Sequence, residues 1–232
     1  MKNTELPFIR DMFEAIAPRY DLLNRLLSLR QDVSWRRIMV SEMNVPDPGA
    51  VLDAACGTAD VPLEILRQKG PGVKVFGLDF SPGMLIPAKN KITGSANIHL
   101  IAGNAFHPPF RPETFDAVTI AFGIRNIADR LSVLKIFYEA LKPGGMLLVL
   151  ELATPPEGFL MSLYLFYFKK VLPLIGRLLS ENPDAYQYLP DSVVSFPRAS
   201  VFAETMCKAG FSDVKWQKLT MGIATLYAGN KE

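Results

Sequence analysis

Two cysteines and two histidines in 232 residues leave little material for disulfide or metal chemistry. Cys56 and Cys207 are too few for a disulfide framework, and with only His99 and His107 beside them they cannot complete a Cys/His zinc cage. No metal site is expected, and the thiols suit a reducing, cytoplasmic compartment. Charge of one sign is also lacking. The formal net charge is +2, from 25 Lys and Arg against 23 Asp and Glu. The cations are scattered, so no basic face for a phosphate backbone is expected and nucleic acid is a poor partner. Long apolar runs are missing as well. The opening MKNTELPFIRDMFEAIAPRYD carries acids where a signal peptide would be continuously apolar. The richest run, Phe159 to Phe168, stops after about ten residues at Lys169-Lys170, where roughly 20 are needed to cross a bilayer. Apolar residues are nonetheless plentiful, at 49% with a mean hydropathy of +0.17. That surplus needs a place.

The length suits one domain with one core. From Val51 onward short apolar runs alternate with helical stretches, which predicts an α/β, doubly wound and mostly parallel sheet with helices on both faces. Strands are expected at 50–55, 73–79, 98–103, 115–122 and 145–152, and helices at Asp60 to Lys69, Pro82 to Lys91 and Arg130 to Leu141. Lys142-Pro143-Gly144-Gly145 reads as a helix stop and turn. Near the end, FSDVKWQKLTMG and IATLYAGN predict an antiparallel hairpin turning at Met221-Gly222, bringing the sheet to seven strands. Residues 1–47 read as a helical lid, 48–155 as the ligand-binding core, 156–198 as an apolar insertion and 199–232 as a closing helix and hairpin.

In an open parallel sheet, ligands sit outside the carboxyl ends of the strands. The first such loop is Asp53-Ala54-Ala55-Cys56-Gly57-Thr58-Ala59-Asp60. A dinucleotide fingerprint needs three glycines for a pyrophosphate, and here only Gly57 is present. Asp53 and Asp60 would repel phosphate and could balance a cation. The next strand ends in Asp79, placed to accept hydrogen bonds from two ribose hydroxyls. The third ends in Gly103-Asn104-Ala105, where an amide could read an adenine edge. A ribose, an adenine and a positive charge without phosphate describe S-adenosylmethionine.

VLDAACGTAD, GLDFSPGML, GNAFHPPF, FDAVTIAFGIRNIAD and LKPGGMLLVLE resemble, in order and spacing, the motifs of class I methyltransferases with their Rossmann-like fold. FEAIAPRYDLLNRLLSL, FGIRN and YQYLPDSVVSFP narrow the likeness to the ubiquinone/menaquinone biosynthesis C-methyltransferases, from about Phe13 to Ala228. The resemblance implies cofactor contacts at Thr58, Asp79, Asn104 and Ala105, with Asp53, Gly57 and Asp60 in the cofactor loop and Ala121 nearby. It implies methyl transfer to a ring carbon of a polyprenyl quinol, either demethylmenaquinol or the 2-methoxy-6-polyprenyl-1,4-benzoquinol of ubiquinone synthesis. Another small hydrophobic acceptor is the alternative. Three single positions and one pair depart from the family pattern: Ala59 replaces a usual glycine, Phe106 a usual acid, Ala121 a serine, and Leu29-Arg30 stands for a common Phe-Gly or Leu-Gly pair.

Each assignment has a plainer competitor. Asp53 could buttress its strand, and Asp79 could cap the next helix. Cys56 lacks a local cation to lower its pKa and reads as a small turn residue. His107 reads as packing beside the adenine site. Arg125 and Asn126 are expected to hold and polarise the quinol oxygens, with Arg125 pairing with Asp129 as the structural alternative. Asp129, Tyr20 or a water would take the proton, and Tyr188 and Ser192 are further polar candidates. A polyprenyl substrate implies peripheral association with the inner face of the membrane, with Gly158 to Ser180 as the expected contact; a homodimer interface is the competing use of that segment. A nicotinamide oxidoreductase on a similar sheet is disfavoured by the missing glycines, and a catalytically inactive adaptor is the third class weighed.

Overall fold

The computed structural model describes residues 5–155, 158 and 184–232. Five parallel strands form first: β1 (Gly49–Ala54), β2 (Val73–Asp79), β3 (Ile98–Ala102), β4 (Phe115–Ala121) and β5 (Leu141–Leu152). Helices α4 (Asp60–Lys69), α5 (Pro82–Lys91) and α6 (Arg130–Ala140) lie between them. β6 (Ser212–Leu219) and β7 (Ala224–Asn230) then close the sheet in the order 3-2-1-4-5-7-6, with β7 antiparallel to both neighbours. The expected hairpin is present, turning through a 3₁₀ segment where Met221 takes φ 56°. The structure differs from expectation at Lys142–Gly145, which lies inside β5 as an irregularity. Pairing jumps from Phe115↔Leu141 to Ala117↔Met146, and Gly144, at φ 79°, donates its N–H to the Lys231 carbonyl. The turn chemistry is as read, but the C-terminus holds it against the sheet.

Side chains alternate across the strands, as a pleat requires. Leu52, Val118 and Leu147 point to one face, where Phe137 of α6 and Phe202 of α8 (Ala199–Lys208) pack on them. Val51, Ala117 and Leu148 point to the other, against Trp35, Met39 and Val40 of α3 (Gln31–Ser41) and Ile65 of α4. Truncating a fully buried residue such as Phe137 would cost about 3–5 kcal/mol.

The N-terminal helices sit over the carboxyl ends of the strands. In α1 (Glu5–Ile16), Ile9 and Met12 are buried. α1 approaches α5 so closely that a Cβ on Gly83 would lie 2.9 Å from Glu14 Cγ. After a 3₁₀ turn comes α2 (Tyr20–Leu27), which ends at Leu29 and Arg30, both left-handed at φ 51° and 64°. α3 is tied to the hairpin by Trp35 Nε1–H donating to Thr220 Oγ1 at 2.8 Å. The remaining helix, α7 (Asp184–Val194), meets α1 through an edge contact of Phe8 and Tyr188, centroids 6.3 Å apart. Of the expected insertion at 156–198, residues 156–157 and 159–183 lie outside the described residues, and with them the expected membrane contact at 158–180 apart from Gly158. Among those described, no helix is long and apolar enough to cross a membrane.

Candidate active site

Strand order reverses between β1 and β4, which is where an open parallel sheet leaves a crevice. The loop after β1 turns there through left-handed residues at Ala55, Gly57 and Ala59, with φ of 53°, 53° and 66°. Small residues let it lie flat. A Cβ on Gly77 of β2 would come within 2.9 Å of Cys56 Sγ, and one on Gly123 within 2.7 Å of Ala55 Cβ. Cys56 is therefore packing, as the plainer reading held, and burial pushes its thiol well up.

A cavity of about 640 Å³ opens over this loop, within the range of about 300–1,000 Å³ common for small-molecule sites. Gly57, Asp79, Asn104, Ala105, Ala121 and Asn126, all expected site residues, line it together with Tyr20. Asp79 is the acid in the wall. Its Oδ2 accepts from Gly57 N–H at 2.7 Å and its Oδ1 from Ser81 N–H at 2.9 Å. The carboxylate keeps acceptor capacity for a further donor. Burial raises the Asp79 carboxyl, and backbone N–H donors from Ser81, Gly57 and Phe80 oppose it. Asn104 Oδ1 accepts from Phe106 N–H at 3.0 Å, so the amide's orientation is fixed by its own turn and its NH₂ is left to donate. Phe106 lines the wall, whereas His107 is exposed and outside it.

Three loop residues are placed differently from expectation. Asp53 lies behind the loop, 1% exposed and outside the cavity wall. Its Oδ1 accepts from Thr119 Oγ1–H at 2.5 Å, while Oδ2 has no partner. Burial, reinforced by the Asp79 charge, pushes its carboxyl up to about 7. Thr58 turns away from the cavity and donates to Asp21 of α2 at 2.6 Å. Asp60 meets Lys91 at 2.7 Å and Arg25 and Arg36 at 3.4 Å each. Burial works to raise its carboxyl, but these cations outweigh it and hold it below the ordinary value. Its charge is thus balanced within the chain, and with Asp21 it pins the N-terminal helices onto the loop.

The turn after β4 also departs from its expected geometry. Arg125 does not line the cavity and pairs with Glu151 of β5, not Asp129. Its side chain donates to Glu151 Oε1 at 2.8 Å and to the Phe122 carbonyl, and its backbone N–H to Glu151 Oε2 at 3.0 Å. Glu151 is fully buried. Sequence reasoning missed it, although an acid at the end of an apolar strand signals a buried partner. The pair holds the 3₁₀ turn Ile124–Asn126, from which Asn126 reaches the cavity wall and accepts from Tyr188 Oη–H at 3.0 Å. Asp129 is an exposed helix cap, bonded to Ser132 N–H at 3.1 Å and Ser132 Oγ–H at 2.7 Å, bonds that lower its carboxyl. It does not face the cavity, so it is a poor base for chemistry there. Burial raises the Tyr20 phenol above its ordinary value, so at neutral pH Tyr20 is a hydrogen-bond donor and not a proton acceptor. Ser192 is buried and bonded to the Leu189 carbonyl within α7. Phe122, at φ 59°, is a bulky residue in a strained conformation that lines the site and stacks under Arg36 at 5.4 Å.

The profile of the ubiE/COQ5 methyltransferase family matches residues 1–231. The chain belongs to that family. It is 48% identical over 226 residues to the ubiquinone/menaquinone biosynthesis C-methyltransferase UbiE of Geobacter sulfurreducens, covering 96% of this chain and 88% of that one. The demethylmenaquinone methyltransferase of Thermus thermophilus is 45% identical over 221 residues, 95% of this chain and all of that one. Among solved structures, a SAM-dependent methyltransferase from Thermotoga maritima superposes with a TM-score of 0.67 at 20% identity, covering 96% of this chain and 99% of that one. The [4+2]-cyclase SpnF superposes with 0.70 at 15% identity, covering 96% and 95%. The structural matches establish the class I methyltransferase fold alone, since one such fold hosts several chemistries.

Proposed function

We propose that this member of the ubiE/COQ5 family transfers a methyl group from S-adenosylmethionine to a ring carbon of a polyprenyl quinol, demethylmenaquinol or the 2-methoxy-6-polyprenyl-1,4-benzoquinol of ubiquinone synthesis. The near full-length match to relatives bearing those names carries the reading. The cavity agrees with a nucleoside cofactor lacking phosphate. Among the described residues its wall holds one carboxylate, Asp79, and one cation, Arg10, with apolar or neutral residues elsewhere. Asp79 would accept from the ribose hydroxyls, Asn104 and Ala105 would meet the adenine, and Gly57 would let the loop approach closely. Asp53 supports the loop from behind, buried and outside the wall.

When bound, S-adenosylmethionine supplies an electrophilic methyl on its own leaving group, so no metal or general acid is needed. The chain's task is to align a carbon nucleophile and exclude water. Asn126, held by the Tyr188 hydroxyl, and Tyr20 present neutral hydrogen-bonding groups that can orient a quinol hydroxyl and stabilise charge developing on its oxygen. Arg125 acts at one remove, by fixing Asn126 through the Glu151 pair. The apolar side chains of Ile9, Phe13 and Phe122 complete a dry wall.

The substrate's tail sets the location of the reaction. Each buried methylene contributes about 0.8 kcal/mol, so a polyprenyl quinol stays in the bilayer and the enzyme works peripherally at the cytoplasmic face. Incubation with methyl-labelled S-adenosylmethionine and reduced demethylmenaquinone should give labelled menaquinol. Transfer to neither quinol under reducing conditions would overturn the assignment, and labelling of an unrelated small hydrophobic acceptor in its place would favour the alternative.

A further inference from the structure

We infer that the corner between α2 and α3, built from Leu22, Leu26 and Leu29, is the face that docks on an anionic membrane surface. The first observation is exposure. Leu22 and Leu29 are 61% and 80% exposed and Leu26 45%, while Leu23 on the opposite side is buried. A spacing of four puts Leu22 and Leu26 on one side of α2, and Leu29 follows just past the helix end. The second observation is the backbone at Leu29 and Arg30. A helix ending in left-handed residues normally uses glycine, because a side chain there is strained. Here two consecutive side chains take that conformation, at φ 51° and 64°. This backbone lets the Leu29 and Arg30 N–H groups donate to the Leu26 and Arg25 carbonyls, ending α2, and it turns Leu29 outward as the most exposed large apolar side chain among the described residues.

Charge identifies the occupant. On α2 and α3, Arg25 faces Asp21 and Asp60, and the buried Arg36 pairs with Asp32 at 2.6 Å, so these charges are matched within the chain. Arg30 and Arg37 are exposed. Exposed leucines beside the exposed Arg30 and Arg37 match an interface of anionic head groups over acyl chains. A second copy of the chain would bring like charges face to face. Position agrees too. Tyr20, at the start of α2, lines the cavity, so docking here sets its mouth beside the bilayer. The inference deepens the proposed reaction and rests on it, since the acceptor there is a bilayer quinol.

Co-sedimentation with vesicles of phosphatidylcholine containing phosphatidylglycerol, and with vesicles of phosphatidylcholine alone, reads the docking directly. Leu22→Ser with Leu29→Ser should weaken binding to the anionic vesicles by about tenfold or more. Arg30→Gly removes a charge and relieves the strained backbone, so it should weaken anionic binding severalfold without lowering the melting temperature. Both variants should methylate a short-tail, water-soluble quinol like the parent and lose activity on a long-tail quinol in vesicles. Unchanged vesicle binding in both variants overturns the docking face. So does a parent that binds neither vesicle, or a leucine variant whose lost binding comes with a sharply lower melting temperature or a lost dimer, which would show another part of the chain or a second copy covering the stripe. If the parent methylates no soluble quinol, the proposed reaction fails, yet sedimentation still decides the surface.

Discussion

Replacing Asp53 by asparagine should reverse the sign of its effect on stability between acid and mildly basic pH. The carboxyl is 1% exposed, receives one hydrogen bond from Thr119, and feels Asp79 against it and Arg36 for it, with a pKa pushed from 3.8 to about 7. Unfolded chains release this proton near 3.8, whereas the folded chain keeps it to about 7. Between those values the folded state binds more protons, so stability falls as pH rises and the whole penalty is present above about 7. At about 1.36 kcal/mol per pH unit, the difference amounts to roughly 4 kcal/mol. Asparagine keeps the acceptor for Thr119 but puts an amide NH₂ where Oδ2 has no partner, at a cost of about 1–3 kcal/mol. The variant should therefore be more stable than the parent by about 1–3 kcal/mol near pH 8 and less stable by about 1–2 kcal/mol near pH 4. Urea unfolding at both pH values measures this through the midpoint at constant slope. An equal loss of stability at both would refute the reasoning, because it would mean that Asp53 is ionised and well solvated in the folded chain.

Three further outcomes follow from the site. Asp79→Ala should weaken S-adenosylmethionine binding at least tenfold by calorimetry, at about 1.5–3 kcal/mol for each charge-assisted bond, and unchanged affinity would remove Asp79 from the cofactor's contacts. Glu151→Gln leaves Arg125 buried without its counter-charge and should destabilise by about 3–5 kcal/mol, while joint replacement of Arg125 and Glu151 by apolar residues of similar size should recover most of that loss in thermal melts. Tyr188→Phe removes the bond to Asn126, so turnover should fall with little change in cofactor affinity or melting temperature, and full turnover would assign Tyr188 to packing alone.

Much of the fold was legible because its signals are local. The strands around 73–79 and 115–122 are short apolar runs, and the helices at 60–69 and 82–91 begin at Asp60 and at Ser81-Pro82, ordinary start signals. Gly57, Asp79, Asn104 and Asn126 were legible for a related reason: the carboxyl end of a parallel strand faces the crevice whatever lies elsewhere in the chain. What escaped depended on distant partners. Arg125 read as a substrate contact because it follows β4 at the ligand edge, with Asp129 as the nearby structural alternative, whereas its counter-charge Glu151 stands 26 residues away on an adjoining strand. Asp60 read as a charge for a ligand because Arg25, Arg36 and Lys91 come from three separate helices. The role of Lys142–Gly145 likewise depended on Lys231, at the far end of the chain.

The central claim is transfer to ring carbon, and the fate of the ring hydrogen tests it most directly. A short-tail demethylmenaquinol carrying deuterium at the ring carbon next to its hydroxyl, incubated with S-adenosylmethionine, should gain one methyl group and lose that deuterium, as mass spectrometry of the product would show. A product that gains the methyl group and keeps the ring deuterium would place the methyl on oxygen and contradict the account.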